Sequence, residues 1–218
     1  MSRSSLKVSS GLASAIGCYV LWGFLPIYWK LIDHVPALEI LAHRIVWCFL
    51  FLLVLLAATG RLGPARREAA AIAADRKKIA GVLAATVLIS INWLVYIWAV
   101  NDSRIVETSL GYYINPLVSV LLGVVVLKER LTLPQSAAVA LAALGVLNQA
   151  VHVGGLPWVS LSLAVTFGLY GLCKKMLNIG AITGLTIETL LLTPASLGYV
   201  AWLQATGAGA LAGGQIAT

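Results

Sequence analysis

Charged residues are scarce in this chain: Asp, Glu, Lys and Arg together account for 11% of its 218 residues, whereas 60% are hydrophobic. A soluble domain of this length needs a polar surface, and this composition cannot supply one. The shortage of charge therefore excludes a soluble globular protein. We expect the excess apolar surface to face the lipid bilayer.

Cysteine is also rare, and the residues typical of enzyme and metal sites are not grouped. Cys18, Cys48 and Cys173 lie in apolar stretches and form no CxxC pair. Their odd number and positions predict packing roles rather than disulfides or metal ligands. The sequence contains no nucleophile elbow, P-loop, metal-binding histidine pair or pair of carboxylates at catalytic spacing. It therefore predicts no metal, no cofactor and no enzymatic activity.

The positive charges follow a regular pattern along the chain. Twelve of the fifteen lie outside the apolar stretches, on every second connection between them: Arg3, Lys7, Arg61, Arg66, Arg67, Arg76, Lys77, Lys78, Lys128, Arg130, Lys174 and Lys175. This alternation follows the positive-inside rule and predicts a cytoplasmic N-terminus, residues 1–10. Because the cations form no stripe with aromatic residues, the net charge of +7 indicates lipid anchoring and no nucleic-acid partner.

Seven apolar runs are long enough to cross a bilayer. They lie near 11–32, 36–58, 79–100, 105–127, 134–152, 156–174 and 182–204. Backbone polar groups have no water partners in hydrocarbon, so runs of this length must be helices, and the predicted fold is an all-α membrane bundle. The loop at 60–78 contains an Ala-rich piece, 66–74, which is either an interfacial helix or a solvated charged loop.

Two ionised side chains, Arg44 and Glu188, are predicted to lie deep inside spans. The helical rise places each about 10 Å from the end of its helix, Arg44 from the outer side and Glu188 from the cytoplasmic side. A charge at such depth costs roughly 2.5 to 3.5 kcal/mol unless it is compensated. We hypothesise that both, with His43, face a common cavity and compensate one another directly, through water or through a solute. Alternatively, Arg44 snorkels or pairs with a carbonyl as a packing element.

A polar stripe and an aromatic group point to the same interior. Thr108, Tyr112, Asn115 and Ser119 fall on one face of a helix, and such a face is expected to turn away from lipid. Trp22, Trp93 and Asn92 are candidates for the wall of a solute site, and Tyr96 is a further candidate for the solute pathway. Core filling is the equally open alternative for the buried aromatics.

Three charged residues near the outer surface are candidates for a gate of opposing charges. They are Lys30, Glu39 and Glu107. Because they are shallow enough to be hydrated, ordinary interfacial anchoring is the alternative.

Several segments resemble the RarD proteins, in the EamA-like group of the drug/metabolite transporter superfamily. The resemblance lies in YVLWG at 19–23, PALEILAHR at 36–44, NW at 92–93, WAVN at 98–101, ETSLGYYINP at 107–116, KER at 128–130 and IETL at 187–190. It implies a multi-pass permease of the bacterial cytoplasmic membrane, with ten helices in two inverted five-helix repeats. On that basis we expect 11–152 to be the first repeat, 153–205 the first two helices of a truncated second repeat, and 206–218 a Gly/Ala-rich tail.

Two classes of function follow from these observations. The first is a secondary transporter of small amphipathic or aromatic solutes, working by alternating access around the polar cavity, with Glu188 as the best candidate for carrying a driving proton. The second is a non-transporting membrane subunit or assembly protein, or an inactive truncated permease. A homodimer is possible in either case. A transporter should expose the polar stripe to a hydrated cavity, whereas a structural subunit should bury it against another helix.

Overall fold

The computed structural model describes residues 3–152 and 157–210, and this part of the chain is helical without strands. Its eight helices are α1 Arg3–Leu31, α2 Ala37–Ala58, α3 Leu62–Ala73, α4 Arg76–Asn101, α5 Ile105–Val125, α6 Leu133–His152, α7 Trp158–Leu177 and α8 Ala181–Thr206. The predicted all-α class is confirmed, and each predicted apolar run corresponds to one helix. The Ala-rich piece of the 60–78 loop lies largely in α3 and is helical, as one of its two readings predicted.

Five of these helices are long and apolar enough to cross a membrane. They are Gly11–Leu31 within α1, and the whole of α2, α4, α5 and α8. The other two predicted spans, α6 and α7, have 20 residues each, which is about 30 Å of helix. The chain is therefore a multi-pass membrane protein. Its division into repeats at 11–152 and 153–205 stays a prediction, and most of the predicted tail, residues 211–218, lies outside the described residues.

Local signals in the sequence explain where two of the helices begin and end. Asp75 caps α4, because its side chain accepts hydrogen bonds from the backbone N–H groups of Lys77 and Lys78 at 2.9 and 3.4 Å. Asn178 closes α7 in the left-handed conformation, with φ of 50°, which Asn tolerates better than most residues. Three residues then connect α7 to α8, and the two helices diverge to pack against different neighbours.

Helix α4 lies at the centre of the packing, because it contacts α1, α2, α3, α5, α7 and α8. Helix α7 packs against α4 and α5, while α8 packs mainly against α2. We call the end of the bundle that carries the connections at 32–36 and 102–104 the upper end. The end that carries α3 and Asn178 is the lower end. The distribution of positive charge predicts that the lower end faces the cytoplasm.

Small residues allow α5 and α7 to approach closely. A Cβ atom placed on Gly111 would lie 3.1 Å from the carbonyl oxygen of Ser160 and from the Cβ of Leu163. Ser160 also donates a 2.6 Å hydrogen bond to the carbonyl of Glu107. Close contacts of this kind drive helix association in lipid, where burial of apolar surface contributes little. They hold α5 beside α7 and fix the position of the polar stripe.

Candidate functional site

Arg44 lies in the upper half of the bundle, where α1, α2, α4 and α5 meet. Its guanidinium carbon is 4.3 Å from the centre of the Trp93 ring and 5.8 Å from that of Trp29. Such cation–π contacts are attractive, and more so away from water. Tyr96 and Tyr112 are within electrostatic range of the guanidinium, and their ring centres are 5.9 Å apart. We call these five residues the Arg44 cluster.

The cluster contains hydrogen-bond donors that have no acceptor among the described residues. Trp29 is 5% exposed, and its indole Nε1–H is buried without a partner. Among the described residues Arg44 forms no ion pair, and each of the eight carboxylates of the chain has another partner there. Buried donors in proteins are normally satisfied. The cluster therefore offers unpaired N–H groups beside aromatic faces.

One side of the cluster is open. Tyr112 is 44% exposed and Trp22 is 48% exposed, with 6.2 Å between their ring centres. His43, next to Arg44 on α2, is partly exposed. Tyr112 and Trp22 therefore form an exposed aromatic edge of the cluster.

The two asparagines predicted to line the pathway instead connect helices. Asn92 is buried and donates through Nδ2 to the carbonyl of Leu163, at 3.0 Å, and to the hydroxyl of Thr166, at 2.9 Å. Asn115 donates through Nδ2 to the carbonyl of Ala164 at 3.3 Å. All three bonds end on α7. Their amide donors are therefore used in packing rather than offered to a cavity.

The remaining members of the polar stripe lie in different surroundings. Thr108 is buried and donates to the carbonyl of Ile105 one turn earlier, at 2.8 Å. Ser119 is exposed and lines a depression of about 270 Å³ near the lower end, together with Glu129 and Lys175. Tyr112 alone of the stripe joins the Arg44 cluster. The stripe is thus divided between packing and exposed positions, and it does not form one continuous lining.

Glu188 is paired with Lys174 and not with Arg44. Its Oε1 atom accepts from Lys174 Nζ at 2.8 Å, and its Oε2 atom accepts from the Tyr170 hydroxyl at 3.1 Å. The direct Arg44–Glu188 pair that the sequence suggested as one possibility is therefore wrong. Arg44 is on the upper third of α2, whereas Glu188 is about 10 Å above the lower end of α8, where the nearest cation comes from the end of α7.

The charges predicted to form an upper gate belong to separate pairs. Lys30 pairs with Asp33 at 2.9 Å, and the hydrogen bond from Lys30 lowers the pKa of Asp33. Arg104 binds Asp102 at 2.8 Å and Glu107 at 3.3 Å. The bond to Asp102 raises the pKa of Arg104. These pairs are local along the chain, as expected for interfacial anchoring.

Glu39, the third predicted gate residue, is buried. It is 2% exposed, and its Oε2 atom accepts a 3.0 Å hydrogen bond from the backbone N–H of Ala210. It therefore connects the start of α2 to the segment after α8. This hydrogen bond explains why a carboxylate is tolerated at a buried position. Burial also distinguishes Glu39 from Lys30 and Glu107, whose ion pairs are more exposed.

Three residues of these sites are missing from the sequence-based prediction. Lys174 is assigned to the positive-inside pattern, and Tyr170 and Trp29 are not assigned to a site. A signal for Lys174 does exist, because a buried carboxylate such as Glu188 needs a cation within reach. Lys174 and Lys175 are the two cations just before the connection that leads to Glu188. No comparable signal identifies Trp29.

Comparison with known proteins agrees with this architecture. Residues 9–148 match the model of the EamA-like transporter family. An uncharacterised transporter of Bacillus subtilis, YojE, is 48% identical over 89% of this chain and 65% of its own length. The protein RarD of Streptomyces exfoliatus is 44% identical over 91% of the chain and 62% of its own length. RarD of Escherichia coli is 42% identical over 89% of this chain and 64% of its own length.

The chain thus spans about two thirds of the length of these relatives, 65% in the case of the Bacillus protein. No solved structure matches the chain. The family match covers well over half of the 218 residues and includes α2, α4 and α5, which supply four of the five residues of the Arg44 cluster. The chain therefore belongs to the EamA-like transporter family, and the RarD proteins are among its relatives.

Proposed function

We propose that this chain transports small amphipathic or aromatic solutes across a bacterial cytoplasmic membrane by alternating access, with the Arg44 cluster as the solute site. The observation that carries the proposal is a cation placed inside the bundle on aromatic faces, without a carboxylate partner in the described part of the chain. A charge kept at such a position without compensation is unfavourable, and intramembrane charges usually mark solute or ion pathways.

The arrangement of the helices supports this function. The cluster draws residues from α1, α2, α4 and α5, so a relative movement of these helices would change access to Arg44 from one side. At the lower end, Lys174 and Glu188 form a second charged group inside the bundle. We propose that protonation of Glu188, which would release Lys174, couples transport to the proton gradient.

Uptake into proteoliposomes tests the proposal. The purified chain is reconstituted, and accumulation of labelled amphipathic and aromatic solutes is measured against protein-free vesicles. The matched variants are Arg44→Gln and Arg104→Gln, since Arg104 lies at the upper surface and already has carboxylate partners. Transport that is lost in Arg44→Gln and retained in Arg104→Gln supports the proposal. If neither the native chain nor Arg104→Gln transports any of the solutes above the level of protein-free vesicles, the proposal is refuted for this chain.

A non-transporting membrane subunit is the second candidate, and the asparagines favour it. Asn92 and Asn115 use their amides to join α4 and α5 to α7, as expected for a structural bundle. Exposed apolar side chains on α1, such as Leu12 and Tyr19, would face lipid or a second copy of the chain in a homodimer. A cross-linked dimer without any solute uptake would favour this function.

A further inference from the structure

We propose that the Arg44 cluster recognises the carboxylate of an aromatic monocarboxylic acid that carries no amino group. In this arrangement Arg44 and the indole N–H of Trp29 donate to the carboxylate, and the solute ring packs among the aromatic side chains. The inference rests on the proposed function for the route of the solute and adds the chemical class that the site accepts.

The donors of the cluster suit a carboxylate. A guanidinium presents five N–H groups in a planar fork that matches a carboxylate. The contacts of Arg44 in the described structure are with ring faces, which leave the edge of the guanidinium free to donate. The Trp29 Nε1–H adds a buried donor without a partner. An acceptor with two oxygens and a negative charge satisfies both groups, whereas a neutral or cationic head does not.

The aromatic side chains supply the second part of the solute. Trp93 and Tyr96 lie on one helix, α4, and Tyr112 faces them from α5 at 5.9 Å between the tyrosine rings. Offset or edge-on packing of a solute ring requires spacings of about 4.5 to 7 Å between ring centres. Because Tyr112 is nearly half exposed, its ring provides the open side on which a flat solute can pack.

A solute that carries an amino group is disfavoured, because no carboxylate of the described structure is available to bind its ammonium. A solute ammonium would need a carboxylate or several carbonyl groups beside Arg44. Each of the eight carboxylates of the chain is engaged elsewhere in the described structure. The ammonium of an amino acid would therefore lie near the like charge of Arg44 without a counter-ion. The site should accept an acid and discriminate against the corresponding amino acid.

Three probes of nearly equal size separate these possibilities. They are 3-phenylpropionate, its amide 3-phenylpropionamide, and phenylalanine, which is the same acid with an added ammonium group. Binding of each to the purified full chain in dodecyl maltoside is measured by isothermal titration calorimetry. We expect the acid to bind, and the amide and phenylalanine to bind roughly tenfold more weakly or worse, as for the loss of one charge-assisted hydrogen bond. Equal affinities for the acid and either analogue would overturn the inference.

Two variants and one added lipid complete the test. Arg44→Gln should abolish the preference for the acid, and Arg104→Gln should retain it. If Arg44→Gln does not fold, Arg44→Lys keeps the charge without the fork and should bind the acid more weakly than the native chain does. Phosphatidylglycerol is then added to the micelles, since a lipid phosphate could also satisfy Arg44. Retained acid binding supports a free solute, and complete competition by the lipid would overturn it.

This experiment separates the inference from the proposed function. Binding of the acid without uptake into vesicles leaves the recognition site in place and refutes transport. Uptake of neutral solutes, with no preference for the acid, leaves transport in place and refutes the inference.

Discussion

Lys174 donates to Glu188 across the short connection between α7 and α8, with 2.8 Å between Nζ and Oε1. Their side chains are 18% and 2% exposed, and the Tyr170 hydroxyl binds the other carboxylate oxygen. Two opposite charges thus compensate each other inside the bundle, with an added hydrogen bond. This explains how a carboxylate about 10 Å from the end of α8 is stable in a membrane helix.

Removing either charge of this pair should destabilise the protein more than removing both. Glu188→Gln leaves the Lys174 ammonium in a poorly hydrated position without a counter-charge, which should cost roughly 3 kcal/mol. Lys174→Met should have a similar effect. The double variant should recover most of the loss. Unfolding of the four proteins in mixed micelles, followed by tryptophan fluorescence, measures this coupling. Additive losses would contradict a direct pair.

Glu188→Gln also tests the proposed role in coupling. If Glu188 carries the driving proton, the variant should lose the pH dependence of uptake, while exchange of solute without a gradient continues. Tyr170→Phe is the matched control, because it removes one hydrogen bond and keeps the charge. Unchanged pH-dependent uptake in Glu188→Gln would exclude this role.

Gly184 provides the space that Lys174 needs to reach Glu188. A Cβ atom at position 184 would overlap the Lys174 ammonium, so Gly184→Ala should push the side chain away and weaken the pair. At Gly198, on the same helix, an added Cβ atom meets nothing within 4 Å. Gly198→Ala should therefore be neutral or stabilising by up to about 1 kcal/mol, since Ala favours the helix. Thermal unfolding of both variants tests this, and equal effects would refute it.

The sequence predicts the helices well because the bilayer imposes simple conditions on them. Runs such as 36–58 and 105–127 must be apolar, long and helical, and the structure places α2 and α5 there. The contact partners are harder to predict, since spacing along a helix gives the face of a side chain but not the neighbour of that face. Asn92 and Asn115 are polar and inward, yet they bind α7.

In the candidate site, too, the position of a residue along its helix can be predicted from the sequence, whereas its contact partners cannot. The depth of Arg44 can be derived from its distance to the end of its helix, and its aromatic surroundings can be anticipated from the many Trp and Tyr residues. The pairing of Glu188 with Lys174 depends on how the chain turns at Asn178, where the left-handed backbone ends α7. The position of such a turn relative to both charges is a tertiary property that the composition of either helix does not contain.

The contact between α3 and the start of α8 should depend on pH. Glu68 accepts a 2.9 Å hydrogen bond from the backbone N–H of Gly180, and this bond, followed by one from Thr183, lowers the pKa of Glu68 below its ordinary value of 4.5. A carboxylate whose pKa is lowered on folding stabilises the contact at pH values above its ordinary pKa of 4.5. That contribution is lost as the pH falls through the lowered pKa.

Spin labels can follow this contact. With labels at the exposed positions Ala70 and Ala181, in a background without cysteine, the distance distribution should be narrow at about pH 7 and broaden as the pH falls through the lowered pKa of Glu68. Glu68→Gln keeps an acceptor oxygen but cannot titrate, so its distribution should not change with pH. A native distribution that responds to acid no differently from that of Glu68→Gln would contradict the assigned contact.

Asn92 and Arg44 should respond differently to substitution, although both are polar and inside the bundle. Asn92→Ala removes a bond between α4 and α7 and should lower the free energy of unfolding by about 0.6 to 2 kcal/mol, with little effect on solute affinity. Arg44→Gln should reduce solute affinity and leave the α4–α7 contact intact. Parallel unfolding and calorimetric measurements decide this. A loss of solute affinity in Asn92→Ala without a loss of stability would indicate that Asn92 belongs to the solute site.

The central claim is that water and solute reach the Arg44 cluster, and the accessibility of position 112 tests it most directly. Cysteine is introduced as Tyr112→Cys or, for comparison, as Tyr113→Cys on the neighbouring face, after replacement of Cys18, Cys48 and Cys173. Labelling by a membrane-impermeant maleimide should be rapid at position 112, slowed by 3-phenylpropionate, and negligible at the lipid-facing position 113. Absence of labelling at position 112, or labelling at both positions without protection by the acid, would contradict the account.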